Sequence, residues 1–300
     1  MKLIQSHIVP EGVVEVRLYD YVPSIFTEIP SRSAVKKSIT RGKILINGEK
    51  AQTGTWVKAG QKIDLMDLEE TPPKQYHLNF DIAYQDEHLA IVNKPGGIPV
   101  SGNQFMTMQN ALIGKFEKSN EPDALSWAKP VHRLDAPTCG LLIVAKTAKA
   151  LMLLGQMLED KKIDKKYCAV VKGKISEEGV ISTLIEDKRA ETEYKRVYSV
   201  PSLRNEFLSL VDLYPKTGRT HQLRIHMSEA GHPIMGDVLY DRKEEVFKGK
   251  GLFLCAVGLR FIHPITSEEL VVQIDEPTKF ETLLQREERR FESFNEKDSE

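Results

Sequence analysis

Three extended runs, KYCAVVKGKI (166–175), TEYKRVYSV (192–200) and FLSLVDLYP (207–215), follow one another with no helical pattern between them. A parallel pair needs a long crossover, usually a helix, so strands that succeed one another directly pair antiparallel. LAIVNKP (89–95), GLLIVAKT (140–147) and GLFLCAVGLRFIHP (251–264) read as further strands. Two helices interrupt them. AKALMLLGQMLEDKKI (148–163) places apolar residues at 150, 151, 154, 157 and 158, and THQLRIHMSEA (220–230) has Gly231 just past its end. The expected fold is α+β, a mixed and largely antiparallel sheet with flanking helices.

A different unit precedes this one. Residues 17–29 carry apolar residues near helical spacing, and Ser31 or Ser33 can cap a second helix running through Ile39. KILINGEKA (43–51) alternates and contains Asn47-Gly48, a hairpin signal, and KIDLM (62–66) reads as one more strand. The break EETPPKQ (69–75), with Pro72-Pro73, is the best linker. The expected organisation is a small α/β accessory domain over 1–70, a linker over 71–78, a larger domain over 79–284 and a flexible charged tail over 285–300.

Charge matters here by its distribution. The net formal charge is −1, yet residues 32–62 hold eight Lys or Arg against the single acid Glu49. Arg32, Lys36, Lys37, Arg41 and Lys43 are the densest part and can attract phosphates regardless of sequence. The same pattern also suits a plain solvated helix face. Three scattered cysteines, Cys139, Cys168 and Cys255, form no Cys-x-x-Cys pair, which predicts a reducing cytoplasm. No apolar stretch is long enough to span a membrane, and MKLIQSHIVPEG has no secretory pattern. His221 and His226 are five apart, the wrong spacing for two ligands on one helix face, so no metal is expected. There is no P-loop, dinucleotide fingerprint or nucleophile elbow.

Against this scaffold stand NKPGG (93–97), HRLDAPTCGLLIVAKT (132–147), KKYCAVVKG (165–173), GRTHQLRIHMSEAGHPIMGDVLY (218–240) and LFLCAVGLRFIHPITSEE (252–269). Each alone reads as a turn, a packing tyrosine or a surface arginine. In this order they resemble the RluA-like family of RNA pseudouridine synthases. The stretch from Ser31 to Leu65 is similar to the small RNA-binding domain first seen in ribosomal protein S-four. The resemblance implies a pseudouridine synthase fold with a central RNA-binding cleft. It implies an isomerase that turns uridine in structured RNA into pseudouridine.

Laid on this chain, the resemblance makes Asp135 the catalytic carboxylate, Tyr167 the aromatic residue against the target base and Arg219 the partner of the carboxylate. Arg133 would hold the flipped nucleotide and fill its place. His132, Leu223 and Lys94 fall on the substrate side, Leu223 lining the uracil pocket. The chemistry suits these types. A carboxylate assists departure of the base, by adding to the sugar or by taking a sugar proton. A guanidinium beside it favours the charged form, and an aromatic face holds a rotating uracil. No electrons, phosphate or acyl group are exchanged, so no cofactor is expected. Departures from the family's pattern include Cys139 where serine is common, Ile98-Pro99 after the glycines where His-Pro is common, and Cys255 where histidine is common. The expected partner is RNA, ribosomal RNA of the large subunit first and transfer RNA second, with no membrane and no obligate protein partner. The competing reading is a non-catalytic RNA-binding or ribosome-assembly protein on the same fold.

Overall fold

The computed structural model describes residues 2–67, 72–241 and 249–297. It divides into two compact units, Met1–Thr71 and Pro72–Glu300. The junction at 68–71, where the linker was expected to begin, lies outside the described residues.

In the first unit, β1 (Lys2–Ile8) is followed by β2 (Val16–Arg17), α1 (Leu18–Tyr21), α2 (Arg32–Thr40), β3 (Ile44–Ile46), β4 (Glu49–Lys50), β5 (Trp56–Val57) and β6 (Lys62–Asp67). The sheet runs β1-β6-β3-β4, and β2 pairs with β5. Ser31 caps α2, its Oγ accepting from Ala34 N at 3.2 Å. Asn47 and Gly48 both take positive φ, 50° and 87°, the conformation a two-residue hairpin turn requires. Residues 17–29 do not form one helix. Pro23 lacks an amide hydrogen, and the segment breaks into α1 and a short 3-10 turn over Val22–Ser24. Strand β1, whose polar and apolar residues do not alternate cleanly, was not legible in the sequence. Leu18, Val22, Phe26, Val35, Ile39, Ile44 and Ile63 make the core.

The second unit contains β7 (Ile82–Gln85), β8 (Leu89–Lys94), α3 (Met108–Ala111), β9 (Ala124–Pro130), β10 (Cys139–Thr147), α4 (Ala148–Glu159) and β11 (Asp164–Lys172). It continues through β12 (Glu178–Ile185), β13 (Lys188–Ser202), β14 (Glu206–Pro215), α5 (Gln222–Glu229), β15 (Leu254–Ile262), β16 (Glu269–Gln273) and α6 (Thr278–Lys297). Ten strands form a sheet ordered β12-β13-β14-β11-β15-β10-β8-β7, with β16 on β15 and β9 on β10. The fold is therefore mixed α+β with a mostly antiparallel sheet. Strands β10 and β15 run parallel, in register only at Cys139–Cys255 and Gly140–Ala256. Beyond that step they diverge, β15 turning to β16 and β10 to β9. The turn over Asp135–Thr138 enters the sheet at this fork.

The expected flexible tail is a correction. Residues up to 297 belong to α6, which packs on β13 and buries Phe280, Leu283, Leu284 and Glu287. The Glu287 carboxylate accepts from Ser202 Oγ at 2.8 Å and lies 3.4 Å from Arg290. A narrow stripe at 280, 283, 284 and 287 suffices to dock a helix, although charge dominates its composition. Residues 298–300 lie outside the described residues.

Candidate active site

Leu134 is buried and ends the approach to a tight turn in which Thr138 N donates to Asp135 O at 3.1 Å. The loop after β8 grips this turn. Gly97 N donates to Ala136 O at 2.7 Å, and a Cβ on Gly96 would stand 3.1 Å from Pro137 O. Lys94 is fully buried, and its ammonium donates to the carbonyls of Pro95 (2.9 Å), Ile98 (2.7 Å) and Ala136 (3.1 Å). Burial pushes the Lys94 amine down to about 8, against the opposing pull of Cys139 and Asp135. Lys94 is thus a clamp between the glycine loop and the Asp135 turn, not the substrate contact expected from the sequence. Gly140 closes the turn. Its φ is +106°, and a Cβ there would overlap the backbone of Ala256.

Asp135 keeps a quarter of its side chain exposed while its partner Arg224 is buried. Arg224 Nη1 lies 3.4 Å from Asp135 Oδ2, and His221 Nε2 lies 3.7 Å from Oδ1. The rest of the Arg224 fork is held bidentately by Asp237, with Nε to Oδ2 at 2.7 Å and Nη2 to Oδ1 at 2.8 Å. Asp237 also accepts from the backbone N–H groups of Leu239 and Tyr240. Burial raises the Asp237 carboxyl, but Arg224 and those N–H groups outweigh it and hold the pKa low. The Tyr240 ring stands 5.1 Å from the Arg224 guanidinium, and its hydroxyl is 2.9 Å from His221 Nδ1.

The partner of the carboxylate is therefore Arg224, and the expectation of Arg219 is corrected. His221, in the left-handed conformation at φ 56°, opens α5, so 221 and 224 share one helix face. Arg219 lies before that bend, and its Nε donates to Arg189 O at 3.1 Å. Gln222 locks the bend. Its Oε1 accepts from Thr217 Oγ1 and Arg219 N, and its Nε2 donates to Glu191 O and Thr192 Oγ1.

His132 is a second correction. Its Nε2 accepts from Ile143 N at 3.1 Å, while Val131 N donates to Ile143 O at 3.0 Å. The ring supplies the bond that β10 lacks where it leaves β15 and has not yet met β9. Burial first, and then the Lys165 charge, push the imidazole down to about 3, so it stays neutral. In the structure it acts as an acceptor that completes β10. Arg133 beside it is exposed.

Tyr167 sits where the register of β11 against β15 shifts, a break that redirects a side chain. It is half-buried between two cores, and burial, then the Asp135 charge, raise its phenol. Leu223 is buried in the core that includes Val170, Leu213 and Phe253. Arg32, Lys36, Lys37, Arg41 and Lys43 all lie in the first unit, on α2 and the turn after it. Arg32 pairs with Asp20, and Lys36 stands 5.2 Å from the Tyr19 ring. Among the described residues no cluster of three metal-ligating side chains occurs, and no helix is long and apolar enough to cross a membrane.

Asp237, Tyr240 and the pairing role of Arg224 were missed. The signals were there, in the i, i+3 spacing of His221 and Arg224 and in the Asp-x-x-Tyr of GDVLY, but none names its partner across the fold.

The family model for RNA pseudouridylate synthase matches residues 88–229. The chain is 31% identical to the uncharacterized RNA pseudouridine synthase YhcT of Bacillus subtilis, over 84% of this chain and 88% of that protein. It is 30% identical to ribosomal large subunit pseudouridine synthase C of Buchnera aphidicola, covering 87% and 90%, and 31% identical to pseudouridine synthase D of Xylella fastidiosa, covering 86% and 84%. Among solved structures, human RNA pseudouridylate synthase domain containing 1 superposes with a TM-score of 0.56 at 26% identity, covering 66% of this chain and 84% of that one.

Proposed function

Because this chain belongs to the RNA pseudouridine synthase family, and is thus an isomerase acting on uridine in RNA, we propose that Asp135 is its catalytic carboxylate and large-subunit ribosomal RNA its substrate. The observation that carries the first part is the arrangement of charge around Asp135. A part-exposed carboxylate stands on a turn clamped by Lys94 and meets a buried guanidinium already fixed by Asp237. One arm of Arg224 remains for Asp135, at 3.4 Å, and orients the carboxylate while leaving part of it open to substrate.

The target uridine leaves its stack, a step costing a few kcal/mol. The exposed Arg133 guanidinium fills the vacated place. Asp135 assists cleavage of the carbon–nitrogen bond at the sugar. Tyr167 holds the detached uracil by its ring face while the base turns and rejoins through carbon. With its phenol pushed up, Tyr167 has no resting phenolate at neutral pH. The proton on the new carbon junction therefore leaves to a water that Tyr167 orients.

The names of the relatives in Buchnera and Xylella support ribosomal RNA as substrate; transfer RNA is the alternative. The first unit is read as an S-four-type RNA-binding domain, with α2 presenting Arg32, Lys36 and Lys37 at its surface. Arg17 stacked 4.0 Å over the part-exposed Trp56 adds a base-stacking platform. The proposed substrate and the scattered cysteines support a cytoplasmic location as part of this reading.

The test is pseudouridine mapping on cellular RNA from a strain lacking the protein, after incubation with purified enzyme. New sites are expected in large-subunit RNA. Asp135→Asn should bind the RNA within about twofold of wild type and make no pseudouridine; normal product from it would overturn the assignment.

A further inference from the structure

Cys139 and Cys255, far apart in the sequence, turn out to be partners. They face each other in the parallel step between β10 and β15. Neighbouring strands lie about 4.8 Å apart, and in-register Cα atoms at that spacing fall inside the window of roughly 4.4–6.8 Å that a disulfide spans. Cys139 Sγ reaches Leu254 O at 3.5 Å, and Cys255 Sγ reaches Ala256 O at 4.0 Å. All three cysteines are free thiols. Cys139 is part-buried and Cys255 is fully buried. Neither sulfur takes part in the ion-pair chain of Asp135, Arg224 and Asp237.

We propose that Cys139 and Cys255 form an oxidisable dithiol beneath the Asp135 turn, which a hydroperoxide converts to a disulfide that slows the isomerase. The accessible Cys139 sulfur attacks the peroxide. A sulfur–oxygen bond forms, the oxygen–oxygen bond breaks, and an alcohol or water leaves. The Cys255 sulfur then displaces the hydroxyl from Cys139 as water. In total two thiols give two electrons and two protons to one hydroperoxide. Electrostatics favours Cys139 as the attacking sulfur. The neighbouring Cys255 thiol lowers it most, burial opposes, and the Lys279 and Lys94 ammonium groups lower it further, to about 7.

The effect on the reaction follows from the packing of the step. Gly140 and Ala256 already touch backbone to backbone, so the two strand ends have no slack. Replacing a thiol contact by a covalent bond draws them together. The displacement passes to the turn that starts β10, whose first residue, Asp135, is four before Cys139.

The experiment treats the full-length protein with hydrogen peroxide, then measures its mass, its tryptic disulfide map and its rate on cellular RNA. The map is read without RNA, so it stands whatever the natural substrate is. Expected is a loss of two hydrogens, a link between the peptides 134–146 and 251–260, and a rate reduced about tenfold and restored by dithiothreitol. Cys139→Ser and Cys139→Ala should keep their rates and resist peroxide, while Cys168→Ser should respond as wild type does. Cys168 is the register partner of Cys255 on the other side. A Cys168–Cys255 link, a Cys139–Cys255 link with undiminished rate, or equal inhibition of the Cys139 variants would each overturn the proposal.

Discussion

Arg224 serves two carboxylates with one positive charge, and the geometry ranks them. Asp237 holds the fork at 2.7 and 2.8 Å, while Asp135 meets only Nη1 at 3.4 Å. A lysine cannot satisfy both, having one point charge and no planar fork. Arg224→Lys is therefore expected to lower kcat by about 10²–10³-fold, whereas Arg219→Ala should stay within about threefold of wild type. Single-turnover kinetics on the two variants checks the assignment, and a reversed ranking would restore Arg219. His132 yields a prediction in pH. Its folded pKa is depressed to about 3, so between there and its ordinary value of about 6.5 the unfolded chain binds more protons. Stability contributed by the neutral ring is present above the upper value and is lost as pH falls through that window. His132→Gln, which keeps an acceptor but does not titrate, should lose less stability between pH 7 and pH 4.5 than wild type in urea melts. Parallel losses would show that the ring is not the titrating group.

At the scale of elements, the fork between β10 and β15 decides where the carboxylate stands. The strand after the turn must enter against Ala256, and only glycine permits that approach at a φ of +106°. Gly140→Ala is expected to push the strands apart, cost about 3 kcal/mol of stability and reduce turnover more than RNA affinity. Denaturant titration together with a binding isotherm separates the two effects; weakened binding with full turnover would contradict the view that Gly140 positions Asp135. The helix α5 shows how far local pattern reaches. Its existence and its end at Gly231 were legible, because apolar spacing and a left-handed cap are local. Which arginine it delivers was not, because the left-handed His221 shifts the helix start by two residues, from 220 to 222, and so sets the face. The charged C-terminal segment failed for the complementary reason. Its few apolar positions carry weight only once β13 offers a surface to receive them.

For the whole molecule, division into two compact units separates chemistry from the added basic surface. Removing residues 1–71 should leave the larger unit folded, weaken RNA binding and flatten its dependence on salt, since each lost phosphate contact removes close to one unit of slope. An unchanged slope would place the phosphate contacts elsewhere. Strands β8, β10, β11, β13, β14 and β15, helices α4 and α5, the hairpin at Asn47-Gly48 and the motif around Asp135 came from the sequence alone, because periodicity, turn chemistry and residue order are carried by neighbours in the chain. Only the tertiary structure decided that Arg224 and not Arg219 meets Asp135, that Lys94 and His132 brace the turn and the strand fork, and that Cys139 faces Cys255. Those are pairings between residues from 11 to 116 positions apart. Burial and direction in space set them, and neither is written in the spacing of residues along the chain.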